Sequence, residues 1–93
     1  MSVMYSIGFE HTKEGIRCSE IGLSDLMTEG ECRRAVAYAH ELSPGASFGN
    51  VEFSKHSPKG CYVSIYSNKV YWNTNIGHGT YVWARSICKS GNN

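Results

Sequence analysis

Residues 60–75, GCYVSIYSNKVYWNTN, decide the fold. They hold four of the six Tyr and Trp residues in the second half of the chain and a single charge, Lys69. Cys61, Val63 and Ile65 alternate with Tyr62, Ser64 and Tyr66, which is the period of a strand. In KVYWN (69–73), Val70 and Trp72 alternate with Tyr71 and Asn73. Ser67-Asn68-Lys69 between them has turn chemistry, because Asn68 tolerates positive φ. A two-residue loop at Ser67-Asn68 or at Asn68-Lys69 gives the same facing. Val63 and Ile65 share one face with Val70 and Trp72. Tyr62, Ser64 and Tyr66 share the other with Tyr71 and Asn73.

Further strands flank this hairpin. SFGNVEF (47–53) is a short candidate interrupted by Gly49-Asn50. TYVWARSIC (80–88) alternates Tyr81, Trp83 and Arg85 against Val82, Ala84 and Ser86. NTNIGHGT (73–80) is a polar, glycine-containing loop.

The one good helix is TEGECRRAVAYAHELSPG (28–45). Thr28 and Glu31 have capping-box spacing, so Thr28 caps a free amide and Glu31 reaches back to the Thr28 amide. Cys32, Ala35, Val36, Ala39 and Leu42 recur at three- and four-residue spacing and form one apolar stripe. Pro44-Gly45 ends the run. The spacing predicts a helix over 29–42.

The chain has 93 residues, enough for one domain with a modest core. Its net charge is +1 and no basic stripe exists, which argues against nucleic-acid binding. No apolar run approaches the ~20 residues of a membrane span. MSVMYSIGFEH lacks the basic start and apolar centre of a signal peptide. Residues 1–15 read as an N-terminal extension and 16–90 as the folded module.

The four cysteines are far apart and lack the C-x-x-C spacing of zinc or redox sites, so disulfides are the expected state. Cys32 faces the sheet from the helix stripe, and Cys61 faces the helix from the inner sheet face. A Cys32–Cys61 bond staples the two layers, which leaves Cys18–Cys88 to tie the start of the module to its end. Each bond contributes on the order of 3–4 kcal/mol. Disulfides imply an extracellular or other oxidising, lumenal compartment.

The order Cys18 in an early strand, TEGECRRAV on a helix, GCYV in a strand and ICK at the end resembles the PAN/apple module of extracellular proteins. That resemblance covers residues 16–90. It implies an α+β fold, one helix packed on a curved antiparallel sheet, with one bridge joining the ends and one joining helix to central strand. The family often has a second helix cysteine four residues on; here Val36 holds that place, so a third bridge is absent. The pattern also looks like small modules of secreted or organellar algal proteins. The WN…ICK ending resembles the C-type lectin fold, but that fold needs a longer chain and a calcium-binding Glu-Pro-Asn motif that this one lacks.

Catalytic signals are weak. His11, His40, His56 and His78 are scattered among polar residues and read as surface groups. There is no G-x-S-x-G elbow and no phosphate loop. Oxidised cysteines leave no thiol nucleophile. The expectation is a non-enzyme with no cofactor and no metal.

Inner-face residues, including Trp72, are expected to be core. Tyr62, Tyr66, Tyr71 and Asn73 point outward, with Asn75 and His78 at one edge of that face, and form the candidate ligand-binding surface. Aromatic rings stack on sugars or anchor protein contacts, and Asn offers paired donors and acceptors. The expected partner is a carbohydrate or a protein surface. The alternative is a structural subunit of a larger assembly, with the aromatic face buried by its neighbours.

Overall fold

The computed structural model describes residues 8–75, 79 and 82–90. In chain order it contains β1 (Phe9–His11), a 3-10 turn (Cys18–Ile21), β2 (Ser24–Asp25), α1 (Glu29–Arg34), α2 (Val36–Ala39), β3 (Ser47–Glu52), β4 (Gly60–Ser64), β5 (Lys69–Asn73) and β6 (Ala84–Lys89). Six strands form one sheet in the order β1-β6-β4-β5-β3, with β2 also paired to β6. The fold is α+β, as expected.

The β4–β5 hairpin is the centre. Tyr62 pairs with Tyr71, Val63 with Val70, and Ser64 with Lys69. The loop is therefore residues 65–68, two residues longer than expected, and Asn68 takes φ 60 within it. Lengthening a loop by two preserves parity, so the facing is unchanged. Its consequence falls on Ile65 and Tyr66, which leave the sheet. Ile65, expected in the core, is exposed.

The inner face carries Cys61, Val63, Val70 and Ile87. Against it pack Leu26, Cys32, Ala35, Tyr38 and Ala39, with Trp72, Val36, Leu42 and Phe48 partly buried at the margin. The helix is shorter than predicted and is interrupted at Ala35, whose ψ of −7° loosens the turn between α1 and α2. Thr28 caps α1 by accepting from the Glu31 amide at 3.1 Å. The Glu31 carboxylate accepts chiefly from Met27 N–H, at 2.8 Å, one residue before the expected partner. Arg33 lies 4.1 Å over the Phe48 ring.

Both disulfides are Cys18–Cys88 and Cys32–Cys61, with Cα separations of 5.7 and 5.3 Å. All four cysteines are buried. Such bridges form and persist in an oxidising compartment. Cys18 opens a 3-10 turn rather than lying in a strand. No helix among the described residues is long and apolar enough to cross a membrane.

Two features depart from the expected antiparallel sheet and its bounds. β3 runs parallel to β5, with a bulge at Gly49. β1 pairs with β6, so the sheet begins within the segment read as an extension. Thr12 continues that pairing: its N–H donates to the Ser86 carbonyl at 3.0 Å, and its hydroxyl accepts from the Ser86 amide at 3.0 Å. Tyr38 is the helix residue that meets this strand, 5.9 Å from the Phe9 ring and hydrogen-bonded to His11 at 2.7 Å.

Candidate functional site

The parallel β3–β5 pairing governs the outer face. β3 lies outside β5 and β4 lies inside it. Residues 53–59 must therefore cross the end of β5 to reach β4. They cross on the outer face and cover it, so Tyr62 and Asn73 are 2% and 1% exposed. The expectation that these two form an open surface is corrected here. The alternation was sound, but a covering segment occupies the face.

Asn73 holds that segment. Its amide nitrogen lies 2.9 Å from the Ser54 carbonyl, 3.2 Å from that of Ser57 and 2.9 Å from that of Pro58. Its oxygen accepts from the Ser54 amide at 3.0 Å and the Asn75 amide at 3.2 Å. Every donor and acceptor of the side chain is used inside the protein.

Tyr62 sits under the same cover. Its hydroxyl donates to Glu52 and lies 3.2 Å from Ser57 Oγ. Burial, and then the bond to Glu52, push its phenol well above the ordinary tyrosine range. It is a neutral donor, with no acid–base role at physiological pH. Tyr71 packs on it at 5.4 Å between ring centroids and reaches Ser67 Oγ at 3.1 Å. The Tyr71 ring lies over Gly49, where a Cβ would come within 2.6 Å of it. Tyr71 is half-buried, as is Asn75. His78 lies outside the described residues.

Of the expected site residues that the structure describes, only Tyr66 is fully open, at 77% exposure. Its ring meets Trp83, itself 48% exposed, at 6.0 Å between centroids and 41° between planes. The Ile65 amide donates to the Trp83 carbonyl at 2.9 Å, which carries the β4–β6 pairing one step beyond the strands. Ile65 and Val82 are exposed beside them. The result is an apolar tip built from two chain segments, Ile65-Tyr66 and Val82-Trp83.

Sequence reading placed Trp83 within a strand and did not bring it to Tyr66. The signal was present: once Ser64 pairs with both Lys69 and Ala84, residues 65 and 83 must lie side by side just past the sheet. Among the described residues, no three His, Cys, Asp or Glu side chains gather as metal ligands.

Comparison with protein-family models, with curated proteins and with solved structures finds no match to this chain.

Proposed function

We propose that this protein is an extracytoplasmic recognition module without a catalytic role, and that it contacts a protein surface through the tip of Ile65, Tyr66, Val82 and Trp83. The observation that carries this reading is the Tyr66–Trp83 pair, ordered by mutual packing yet open to solvent. Trp and Tyr are the residues most often found at the energetic centre of interfaces. Large apolar side chains exposed on two adjoining segments, Ile65-Tyr66 and Val82-Trp83, are a sign of an interaction site. Carbohydrate is less favoured than protein, because the asparagine best suited to sugar hydroxyls is spent on residues 54–58. The two buried bridges support an extracellular or lumenal setting. A bridge from helix to strand and one joining the ends also fit the PAN/apple resemblance.

A second reading is a permanent subunit of a larger assembly. It is favoured by a separate apolar surface. Met27, Val51 and Phe53 are exposed, and Val51 pairs beside the half-buried Trp72. Hydrodynamic size in the native fluid tests both readings, with wild type set against the double variant Tyr66→Ser/Trp83→Ser. A complex that only wild type enters supports the tip. A variant that enters the same complex overturns it. Wild-type binding found only on a glycan array moves the ligand class to carbohydrate.

A further inference from the structure

A groove of about 530 Å³ runs between residues 11–16 and the 3-10 turn, lined by His11, Thr12, Lys13, Ile16, Glu20 and Ile21. This volume falls in the range of small-molecule sites. Both walls are fixed to β6. The first wall is tied by Thr12 N–H to the Ser86 carbonyl and Gly15 N–H to the Ala84 carbonyl, each at 3.0 Å. The second is tied by the Cys18–Cys88 bond. The groove is thus formed before any ligand arrives.

Its chemistry is two-sided. Ile16 and Ile21 supply an apolar wall; neither belongs to the core cluster, and Ile21 is 46% exposed. The polar groups are divided between the walls: Lys13 and His11 stand on the first, and Glu20 stands on the second, where it accepts from the Arg17 amide at 2.8 Å, while the neighbouring Glu14 pairs with Arg85 at 3.0 Å. Lys13 forms no salt bridge among the described residues. His11 Nδ1 is 2.7 Å from the Tyr38 hydroxyl. With that hydroxyl assigned as donor, the ring proton sits on Nε2, which is left to donate to a ligand.

We propose that this groove binds a small amphiphile, a carboxylate head with a short aliphatic body. The head lies between Lys13 and His11, and the body lies along Ile16 and Ile21. The site is separate from the aromatic tip and does not depend on it.

The test is NMR titration of the intact protein with decanoate, decanol and decylammonium, each kept below its aggregation limit. Decanoate should shift the Ile16 and Ile21 methyl signals and the His11 ring signals in a saturable way, at least tenfold more tightly than decanol. Lys13→Glu should remove that preference. Ile21→Asp should weaken all three probes. Both side chains are exposed, so the fold should persist, and the wild-type probe series decides the matter on its own. Equal affinity for decanoate and decanol, shifts centred on Tyr66 and Trp83, or no saturable shift would each overturn the proposal.

Discussion

Asn73 and Ser54 bond each other in both directions: the Asn73 amide donates to the Ser54 carbonyl at 2.9 Å, and the Ser54 amide donates to the Asn73 oxygen at 3.0 Å. This exchange mimics a strand pairing and fixes the β3–β4 crossover onto the sheet. Asn73→Ala leaves several buried backbone groups without partners, at about 1–3 kcal/mol for each such group. Part of that cost is recovered by water, so a net loss of about 2–4 kcal/mol is expected in urea denaturation. Tyr62 should also become more accessible to iodination. A loss below about 0.5 kcal/mol would show that the crossover does not depend on Asn73.

Gly49 tests the other side of the same face. A methyl group there meets the Tyr71 ring at 2.6 Å, closer than carbon atoms approach. Gly49→Ala should push Tyr71 off Tyr62 and cost about 1–3 kcal/mol, as overpacking does. Tyr71→Ala combined with Gly49→Ala should cost less than the two single changes added together, because the clash disappears with the ring. Strict additivity would remove the contact as the cause.

What could be read from the chain alone was local. Period-two alternation placed Val63, Val70 and Cys61 on one face, and parity kept that facing correct although the loop proved two residues longer. The stripe containing Cys32 then determined both bridges. What escaped was set by distant pairing. Nothing near Tyr62 indicates that residues 53–59 cross above it, because that follows from β3 pairing in parallel with β5. Likewise, FEH (9–11) is too short to announce itself as a strand, and becomes one only against Lys89, Cys88 and Ile87.

The two disulfides should differ in strength. Cys18–Cys88 spans 70 residues and Cys32–Cys61 spans 29. On the chain-entropy model they contribute about 4.4 and about 3.6 kcal/mol. Replacing each pair by two alanines should therefore lower stability more for Cys18/Cys88, by about 0.8 kcal/mol, in matched denaturation curves. A larger loss on removing the helix-to-strand bridge would mean that its packing in the core outweighs the loop term.

Stability should also fall on mild acidification. Burial, and then the Arg85 charge, hold the His11 pKa below its ordinary value of 6.5, while Glu10 and Glu41 raise it by less. The unfolded chain then binds a proton at a pH where the folded protein does not. The His11 contribution is complete above about pH 6.5 and is lost as pH falls through the folded pKa. Glu14 and Glu31 are also held low, Glu14 chiefly by its own backbone N–H and Glu31 by that of Met27, and their contributions are lost only below about pH 4.5. His11→Gln should flatten the decline between pH 7 and 5 and leave the lower one in place. An unchanged upper decline would place its origin elsewhere.

The two tryptophans allow the proposed site to be watched directly. Trp72 packs against the core, whereas Trp83 is about half exposed on the tip. In Trp72→Phe the remaining Trp83 should emit at long wavelength and be quenched strongly by acrylamide. In Trp83→Phe the remaining Trp72 should emit further to the blue and resist quenching. When a protein partner covers the tip, Trp83 loses water on its open face, so its emission should shift to the blue and its quenching should fall. Trp72, near the opposite end of β5 from the 65–68 turn, should not respond. A partner that shifts Trp72 and leaves Trp83 unchanged would move the docking surface to Met27, Val51 and Phe53.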